Sequence, residues 1–170
     1  FNWMGTMWRG NLKLHTPMLF AISFVALFAI GGLSGVFMAA TPVDIYIHDT
    51  YFIVAHLHYV LFGGSLFALF GAIYYWFPKM FGRMMSEKWG KVHFWITFVG
   101  VYAIFMPMHW LGFSGHPRRY AELTSFEFLQ PLMDVQRYIS MFAFTTIAAQ
   151  LIILAILIWG LFRGKKTENI

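Results

Sequence analysis

Four long apolar stretches alternate with shorter polar segments along the chain. The stretches cover residues 18–40, 51–77, 92–113 and 139–162. A helix of about 20 residues crosses a hydrocarbon core roughly 30 Å thick, and each stretch is at least that long. The pattern predicts an all-α integral membrane protein with four transmembrane helices, in which residues 1–170 are part of a single transmembrane domain.

The polar segments are predicted to be loops between these helices. They cover residues 41–50, 78–91 and 114–138, while residues 1–8 are interpreted as the tail of a preceding helix. Small residues at a spacing of four indicate faces where helices approach closely. We expect one such face at Gly31 and Gly35 and another at Gly64, Ala68 and Ala72.

Two histidines interrupt the second apolar stretch, at positions 56 and 58. Ionisable residues inside a membrane span are costly, so they indicate a functional site. Successive helical residues turn by about 100°, which sends His56 and His58 to nearly opposite faces, roughly 200° apart. They are therefore predicted to serve separate metal centres. The alternative is that both histidines only hydrogen-bond to neighbouring helices.

Composition narrows the chemistry that these histidines can perform. The chain is 59% hydrophobic and contains no cysteine, which excludes disulfides, iron–sulfur clusters and thiolate-bound metals. Haem iron fits instead, because an apolar macrocycle can lie between helices and needs only an axial histidine. The net charge of +5 does not indicate nucleic acid, because the basic residues lie in short segments between apolar stretches.

The basic residues are distributed unequally between the two ends of the predicted helices. Nine of the twelve Lys and Arg residues lie at one end, which the positive-inside rule assigns to the cytoplasm or matrix. These nine are Arg9, Lys13, Lys79, Arg83, Lys88, Lys91, Arg163, Lys165 and Lys166. The opposite, outer end then contains His48, Asp49, Arg118 and Arg119.

Charged residues at the outer end are candidates for binding a cofactor or metal. Arg118 and Arg119 match the geometry of haem propionates, since arginine pairs with carboxylates in a fork. His48 and Asp49 are candidate ligands of a divalent ion, with further ligands from water or another chain. Asp44 is a candidate partner of a propionate. The alternatives are a solvated arginine pair, and a helix cap at Asp49 or Thr50.

The remaining histidines have weaker claims to a role. His93 and His109 lie near the two ends of the third apolar stretch and are interpreted as interfacial or packing residues. His15 and His116 are loop residues to which the sequence assigns no function.

Several motifs resemble subunit I of the haem–copper oxidases, closest to the cytochrome c oxidase type. The first runs from His48-Asp49-Thr50-Tyr51 to His56-Leu57-His58-Tyr59-Val60-Leu61-Phe62. The others are Trp76-Phe77-Pro78, Pro107-Met108-His109-Trp110-Leu111-Gly112 and Gly115-His116-Pro117-Arg118-Arg119-Tyr120. They follow the order and spacing of the family. The resemblance extends from Phe1 into the fourth apolar stretch.

The resemblance implies a role for each candidate residue. It makes the four helices equivalent to helices nine to twelve of a twelve-helix subunit. His56 would be the axial ligand of the high-spin haem, and His58 one axial ligand of the low-spin haem. The outer residues would be His48 and Asp49 at a magnesium or manganese site, Arg118 and Arg119 at the propionates, and Asp44 beside them.

The resemblance also implies partners and an activity. The parent complex would contain two haems, of type A, together with copper and magnesium. It would oxidise cytochrome c, reduce oxygen to water and translocate protons. The partners implied are the rest of subunit I, subunits II and III, cytochrome c and the lipid bilayer, in a bacterial plasma membrane or mitochondrial inner membrane.

This chain departs from the family pattern in two respects. Leu57 stands where the family usually has phenylalanine, so no aromatic ring lies between the two candidate ligands. The family's copper ligands and its other low-spin haem ligand belong to helices that precede this segment. The sequence leaves three alternatives open, namely a quinol oxidase, a di-haem electron carrier without oxygen chemistry, and a transporter or structural bundle without haem.

Overall fold

The computed structural model describes residues 1–120, 122 and 126–167 of the chain. In this part of the chain the regular structure is helical, with isolated β-bridges and no extended strand. The elements are α1 (Asn2–Met7), α2 (Thr16–Ala39), α3 (Thr41–Ile47), α4 (Tyr51–Leu57), a π-helical segment (His58–Leu66), α5 (Phe67–Phe81), α6 (Glu87–Phe113), a 3₁₀ turn (Glu127–Leu132) and α7 (Met133–Arg163).

Four continuous helices are long and apolar enough to cross a membrane. They are Thr16–Ala39, Tyr51–Phe81, Glu87–Phe113 and Glu127–Arg163. The second contains α4, the π segment and α5 without a break, and the fourth begins with the 3₁₀ turn. The predicted class of an all-α protein with four long apolar helices is therefore confirmed.

The predicted loops are shorter than the polar pattern indicated. Residues 41–47 form α3, which has a proline in its first turn, where proline is well tolerated because the first amides have no helical partner. α5 continues through Pro78 to Phe81 and ends at Gly82, whose φ of 64° is left-handed. α6 begins at Glu87, where Ser86 caps the helix by accepting from the Trp89 amide.

The loop predicted over 114–138 is also wrong in its second half, because Glu127–Leu132 is a 3₁₀ turn and α7 begins at Met133. The first turns of a long helix have polar side chains where they reach water, so a hydrophobicity pattern does not assign them to the helix. Residues 121 and 123–125 of that loop, and residues 168–170 of the predicted domain, lie outside the described residues.

Helix α6 lies at the centre of the bundle. It packs along α7 on one side and against α4 and α2 on the other, while α2 also packs along the π segment and α5. Phe20 of α2 is fully buried among the rings of Phe67, Phe70, Phe94 and Tyr74, at centroid distances of 5.0–5.8 Å. This aromatic cluster joins α2, α5 and α6 near one end of the bundle.

The π-helical segment changes which small residues face α2. Gly63 and Gly64 are buried, and a Cβ on Gly63 would lie 2.8 Å from the Cβ of Leu27. Gly71 faces the backbone of Pro17, whereas Ala68 is exposed. The predicted face of Gly64, Ala68 and Ala72 is therefore wrong, because a π turn takes up more residues than an α turn and rotates the rest of the helix.

The burial of Phe20 predicts a large effect of its removal. We expect Phe20→Ala to lower the free energy of unfolding by about 3–5 kcal/mol, because it leaves a cavity among the four rings named above. Phe144→Ala is the matched control on α7, since that ring is 74% exposed in this chain. The thermal midpoint of the purified parent complex should fall for the first variant only; equal midpoints would contradict this role for Phe20.

Candidate functional site

The two histidines of the second long helix are separated by one residue but contact different neighbours. His56 is in the last turn of α4 and touches α2, whereas His58 is the first residue of the π segment and touches α6. The prediction that they face different sides of one helix is confirmed. The helix itself begins at Tyr51. Thr50 rather than Asp49 is its cap, because the Oγ1 of Thr50 accepts from the Phe52 amide.

His56 is fixed by the backbone of α2. Its Nδ1 lies 2.8 Å from the carbonyl oxygen of Gly31 and 2.9 Å from the Oγ of Ser34. A carbonyl oxygen only accepts, so Nδ1 carries the proton and donates it to Gly31. The lone pair is then on Nε2, which has no hydrogen-bond partner among the described residues. Metal-binding histidines are usually oriented in this way.

Small residues of α2 make this approach possible. A Cβ added to Gly35 would lie only 2.9 Å from Cε1 of His56, and one added to Gly31 would lie 2.8 Å from Val60. The Gly31–Gly35 face predicted from the sequence is therefore confirmed as a contact face. The sequence did not reveal its connection to His56 or the part of Ser34, although a serine between two spaced glycines was a visible signal.

His58 is fixed by its own helix and by an aromatic ring. Its Nδ1 donates to the carbonyl oxygen of Val54, 2.7 Å away in the preceding turn. Its imidazole stacks on Phe105 of α6, with centroids 4.4 Å apart and planes within 19°. This arrangement again leaves the lone pair on Nε2.

A groove of ≈720 Å³ adjoins His58. It lies between the histidine-bearing helix and helices α6 and α7, and most of its lining is apolar, including Phe62, Phe105 and Ile139. Tyr51 and Gln136 lie at the outer end, and Gln150 lies deeper. An apolar groove with one available imidazole nitrogen fits a flat apolar cofactor bound through iron.

The outer end of the helices brings together residues from two distant loops. The Arg118 side chain forms an ion pair with Asp49, with Nε 2.7 Å from Oδ1, and the Arg118 amide donates to the Asp49 carbonyl oxygen at 3.0 Å. Asp49 has a left-handed φ of 55°, which turns its backbone toward this loop. The Arg118 guanidinium holds the pKa of the Asp49 carboxyl below its usual value, and His48 and Arg119 act in the same direction.

His48 lies between two carboxylates. Its Nδ1 is 3.5 Å from Asp44 and its Nε2 is 3.7 Å from Asp49. Across residues 1–120, 122 and 126–167, no group of three His, Asp or Glu side chains converges closely enough to hold a metal ion. The ion site predicted at His48 and Asp49 stays a prediction, and it would need donors beyond these side chains.

The two arginines differ in their surroundings. Arg118 is engaged by Asp49 and its side chain is 22% exposed, whereas Arg119 is exposed. Within the described residues, Arg119 forms no ion pair. The structure therefore brings Arg118, Asp49, His48 and Asp44 together and leaves Arg119 beside them, available to an added carboxylate.

His116 is a structural connection that sequence reasoning missed. It is 1% exposed, its ring packs edge-on against Tyr51 at 4.2 Å, and its Nε2 lies within hydrogen-bond distance of Tyr120 and Gln136. Its carbonyl oxygen accepts from the Tyr51 amide. It thus joins the arginine loop to α4 and α7, and burial lowers the pKa of its imidazole.

The other histidines have packing roles. His109 donates to the Phe105 carbonyl oxygen at 3.1 Å and packs against Phe52. His93 is fully buried rather than interfacial, with Nδ1 3.2 Å from the Tyr74 hydroxyl and Nε2 3.1 Å from the Gln150 side chain. His15 is exposed and 3.5 Å from Glu87.

Comparison with known proteins gives one consistent result. Residues 1–151 match the family model described as cytochrome c and quinol oxidase polypeptide I. Cytochrome c oxidase subunit 1 of Synechocystis sp. is 51% identical over 99% of this chain and 30% of its own length. The subunit of Corynebacterium diphtheriae is 43% identical over 100% of this chain and 29% of its own length.

A solved structure shares the fold. A chain of a haem–copper terminal oxidase dimer, determined by cryo-electron microscopy, superposes with a TM-score of 0.76 over 91% of this chain and 28% of its own length, at 17% identity. The present chain thus spans about 30% of the length of these two curated relatives. With four long apolar helices, it is a membrane protein.

The contact between His56 and α2 predicts a difference between two neighbouring glycines. Gly35→Ala would press a methyl group against the imidazole, and overpacking of this kind costs about 1–3 kcal/mol. Gly32→Ala is the control, because no atom lies within 4 Å of its Cβ position and alanine favours a helix over glycine. The thermal midpoint of the complex should fall for Gly35→Ala and stay level or rise for Gly32→Ala; the reverse order would contradict the contact.

Proposed function

Because this chain belongs to the cytochrome c and quinol oxidase polypeptide I family, we propose that it is the C-terminal part of the catalytic subunit of a terminal respiratory oxidase. The parent complex would oxidise cytochrome c, reduce oxygen to water and translocate protons. Cytochrome c as the electron donor is supported by the names of the relatives, which are cytochrome c oxidase subunits.

The orientation of the two imidazoles is the observation that carries this proposal. Each Nδ1 is tied to a carbonyl oxygen, and each Nε2 is left with a lone pair on a different side of one helix. His56 would ligate the high-spin haem, and His58 would provide one axial ligand of the low-spin haem. The haems supply electron transfer and, at the high-spin iron, oxygen binding.

The short connection between the two ligands gives the helix a further role. One intervening residue, Leu57, separates His56 from His58, so the polypeptide holds both sites at a fixed spacing. Its side chain is aliphatic and 41% exposed, and it forms part of the lining beside His58. The chain itself therefore contributes a rigid backbone link here, not an aromatic ring.

The outer charged residues would hold the carboxylates of the haems. Arg119 is exposed and would pair with a propionate directly. Arg118 would do so while keeping Asp49, because a guanidinium has five N–H donors. Asp44 would lie beside the propionate of the high-spin haem. Arg118 and Arg119 would supply the positive charge that these carboxylates need.

His48 and Asp49 would bind magnesium or manganese together with donors from subunit II. Copper ligands would come from helices of subunit I that precede this segment, and subunit III would complete the complex. The loop over residues 79–91 and the C-terminal end would face the cytoplasm or matrix, as the excess of basic residues there supports. The outer site would face the periplasm or intermembrane space.

A quinol oxidase is the second candidate, because the matching family model includes quinol oxidases. It would use the same two histidines and differ in its electron donor. Typing of the extracted haem separates the two candidates. Haem A supports the cytochrome c type, whereas haem O with haem B supports the quinol type.

Removal of each histidine tests the assignment of the two haems. We expect His56→Ala to abolish the carbon-monoxide-binding haem and leave a low-spin band, because Nε2 of His56 would be the axial ligand of that haem. His58→Ala should remove the low-spin band. Reduced-minus-oxidised spectra of the purified complex, with and without carbon monoxide, distinguish the two losses.

The control for these variants is His15→Ala, which removes an exposed loop imidazole and should leave both spectra unchanged. Retention of carbon monoxide binding by His56→Ala would overturn its assignment, and an unchanged low-spin band in His58→Ala would overturn the other. A complex with two haems and no response to carbon monoxide would instead indicate a di-haem electron carrier.

The ion site is tested by its manganese content. When cells grow on manganese, Asp49→Asn should lower the tightly bound Mn²⁺ detected by paramagnetic resonance, because an amide is a weaker ligand than a carboxylate. Asp134→Asn is the control, since Asp134 is an exposed acid of the outer end paired with Arg137. An equal manganese content in both variants would contradict a ligand role for Asp49. Its carboxylate would then serve only in the ion pair with Arg118.

A further inference from the structure

A second groove lies between α6 and α7 and shares no lining residue with the groove beside His58. It has a volume of ≈620 Å³ and lies between the first turn of α6 and the last third of α7. Its lining is almost wholly apolar and includes Trp89, Leu151, Ala155, Ile156 and Trp159, with Ser86 at its end. Nothing in the proposed oxidase chemistry uses this groove.

The dimensions of the groove match one leaflet of a bilayer. From Leu151 to Trp159 the helix rises about 12 Å, at roughly 1.5 Å per residue. Half of a hydrocarbon core is about 15 Å thick. Trp89 and Trp159 are both more than half exposed, and Trp89 near the start of α6 lines the same groove as Trp159 near the end of α7. Tryptophan is enriched at this depth, where the apolar core meets the headgroups.

The open end of the groove is basic. The guanidinium of Arg163 lies over the Trp159 ring at 5.6 Å from its centroid, one turn beyond the groove. Among the described residues, no carboxylate forms an ion pair with Arg163. Arg83 from the preceding loop donates to the carbonyl oxygens of Phe162 and Gly164, which fixes the end of α7. Arginine next to an interfacial tryptophan is suited to a phosphate group.

We propose that this groove binds one acyl chain of an anionic phospholipid, with the lipid phosphate at Arg163. The apolar lining fits the acyl chain. The two tryptophans lie at the depth where the acyl chains meet the headgroups, and the arginine matches the negative charge of the phosphate. A segment of another protein would also cover apolar residues. A groove one leaflet long with a basic group at its headgroup end favours a lipid.

The test compares lipid retention by the purified parent complex. The complex is placed in nanodiscs of equal parts phosphatidylglycerol and phosphatidylcholine, then washed in detergent, and the retained lipids are counted by mass spectrometry. The wild type should retain phosphatidylglycerol in preference to phosphatidylcholine. One cation near the membrane surface gives about a five-fold preference for an anionic lipid. Arg163→Gln should lose that preference.

Two matched control variants distinguish a change in the groove from a general effect of the same substitution elsewhere. Ala155→Phe fills the groove and should lose one retained lipid per complex. Ala148→Phe makes the same change on the same helix, at an exposed residue outside the lining. Lys79→Gln is the control for Arg163→Gln, because Lys79 also lies over an exposed ring, that of Tyr75 at 4.9 Å, away from the groove. Both controls should match the wild type.

Three results would overturn the proposal. They are unchanged lipid retention in Ala155→Phe, equal retention of the two lipids by the wild type, and loss of a protein subunit from Ala155→Phe with lipid retention unaltered. All four variants should keep the haem spectra of the wild type. Failure here therefore leaves the proposed function untouched, and failure of the haem assignments leaves the lipid measurement interpretable.

Discussion

The close approach of α2 to the histidine-bearing helix is the constraint on which the candidate site depends. Gly31 and Gly35 have no side chains to separate the two helices, so the imidazole of His56 reaches a backbone carbonyl of α2. That hydrogen bond selects the tautomer and points the lone pair of Nε2 away from α2. His58 obtains the same result from a carbonyl of its own helix, so two different hydrogen bonds orient the two histidines.

The π-helical segment begins at the second of these histidines, and its position has consequences for both sides of the helix. Backbone amides in a π turn bond one residue further back than in an α turn, which widens the helix and shifts its phase. Gly63 and Gly64 are thereby buried against α2, while the Phe62 side chain lines the groove beside His58. One irregular segment thus supports a tight contact on one face and an open groove on the other.

Charges are confined to the two ends of the bundle, where water and headgroups solvate them. At the outer end, Asp49 and Arg118 join loops that are 69 residues apart in the sequence, and His116 ties the same loop to Tyr51 and Gln136. At the other end, the side chains of Arg83 and Arg163 both lie at the end of α7. The apolar middle contains His56 and His58, each of which donates from Nδ1 to a backbone carbonyl oxygen.

The sequence alone determined the four apolar helices, the opposite directions of His56 and His58, and the family. These depend on hydrophobicity, local helical periodicity and motif spacing, which are properties of neighbouring residues. Only the tertiary structure decided that residues 41–47 are helical, that Ala68 leaves the packing face, that His116 is buried, and that α6 and α7 enclose two grooves. Each of these features depends on contacts between residues far apart in the chain, or on a helical phase set by such contacts. A local sequence pattern does not contain that information.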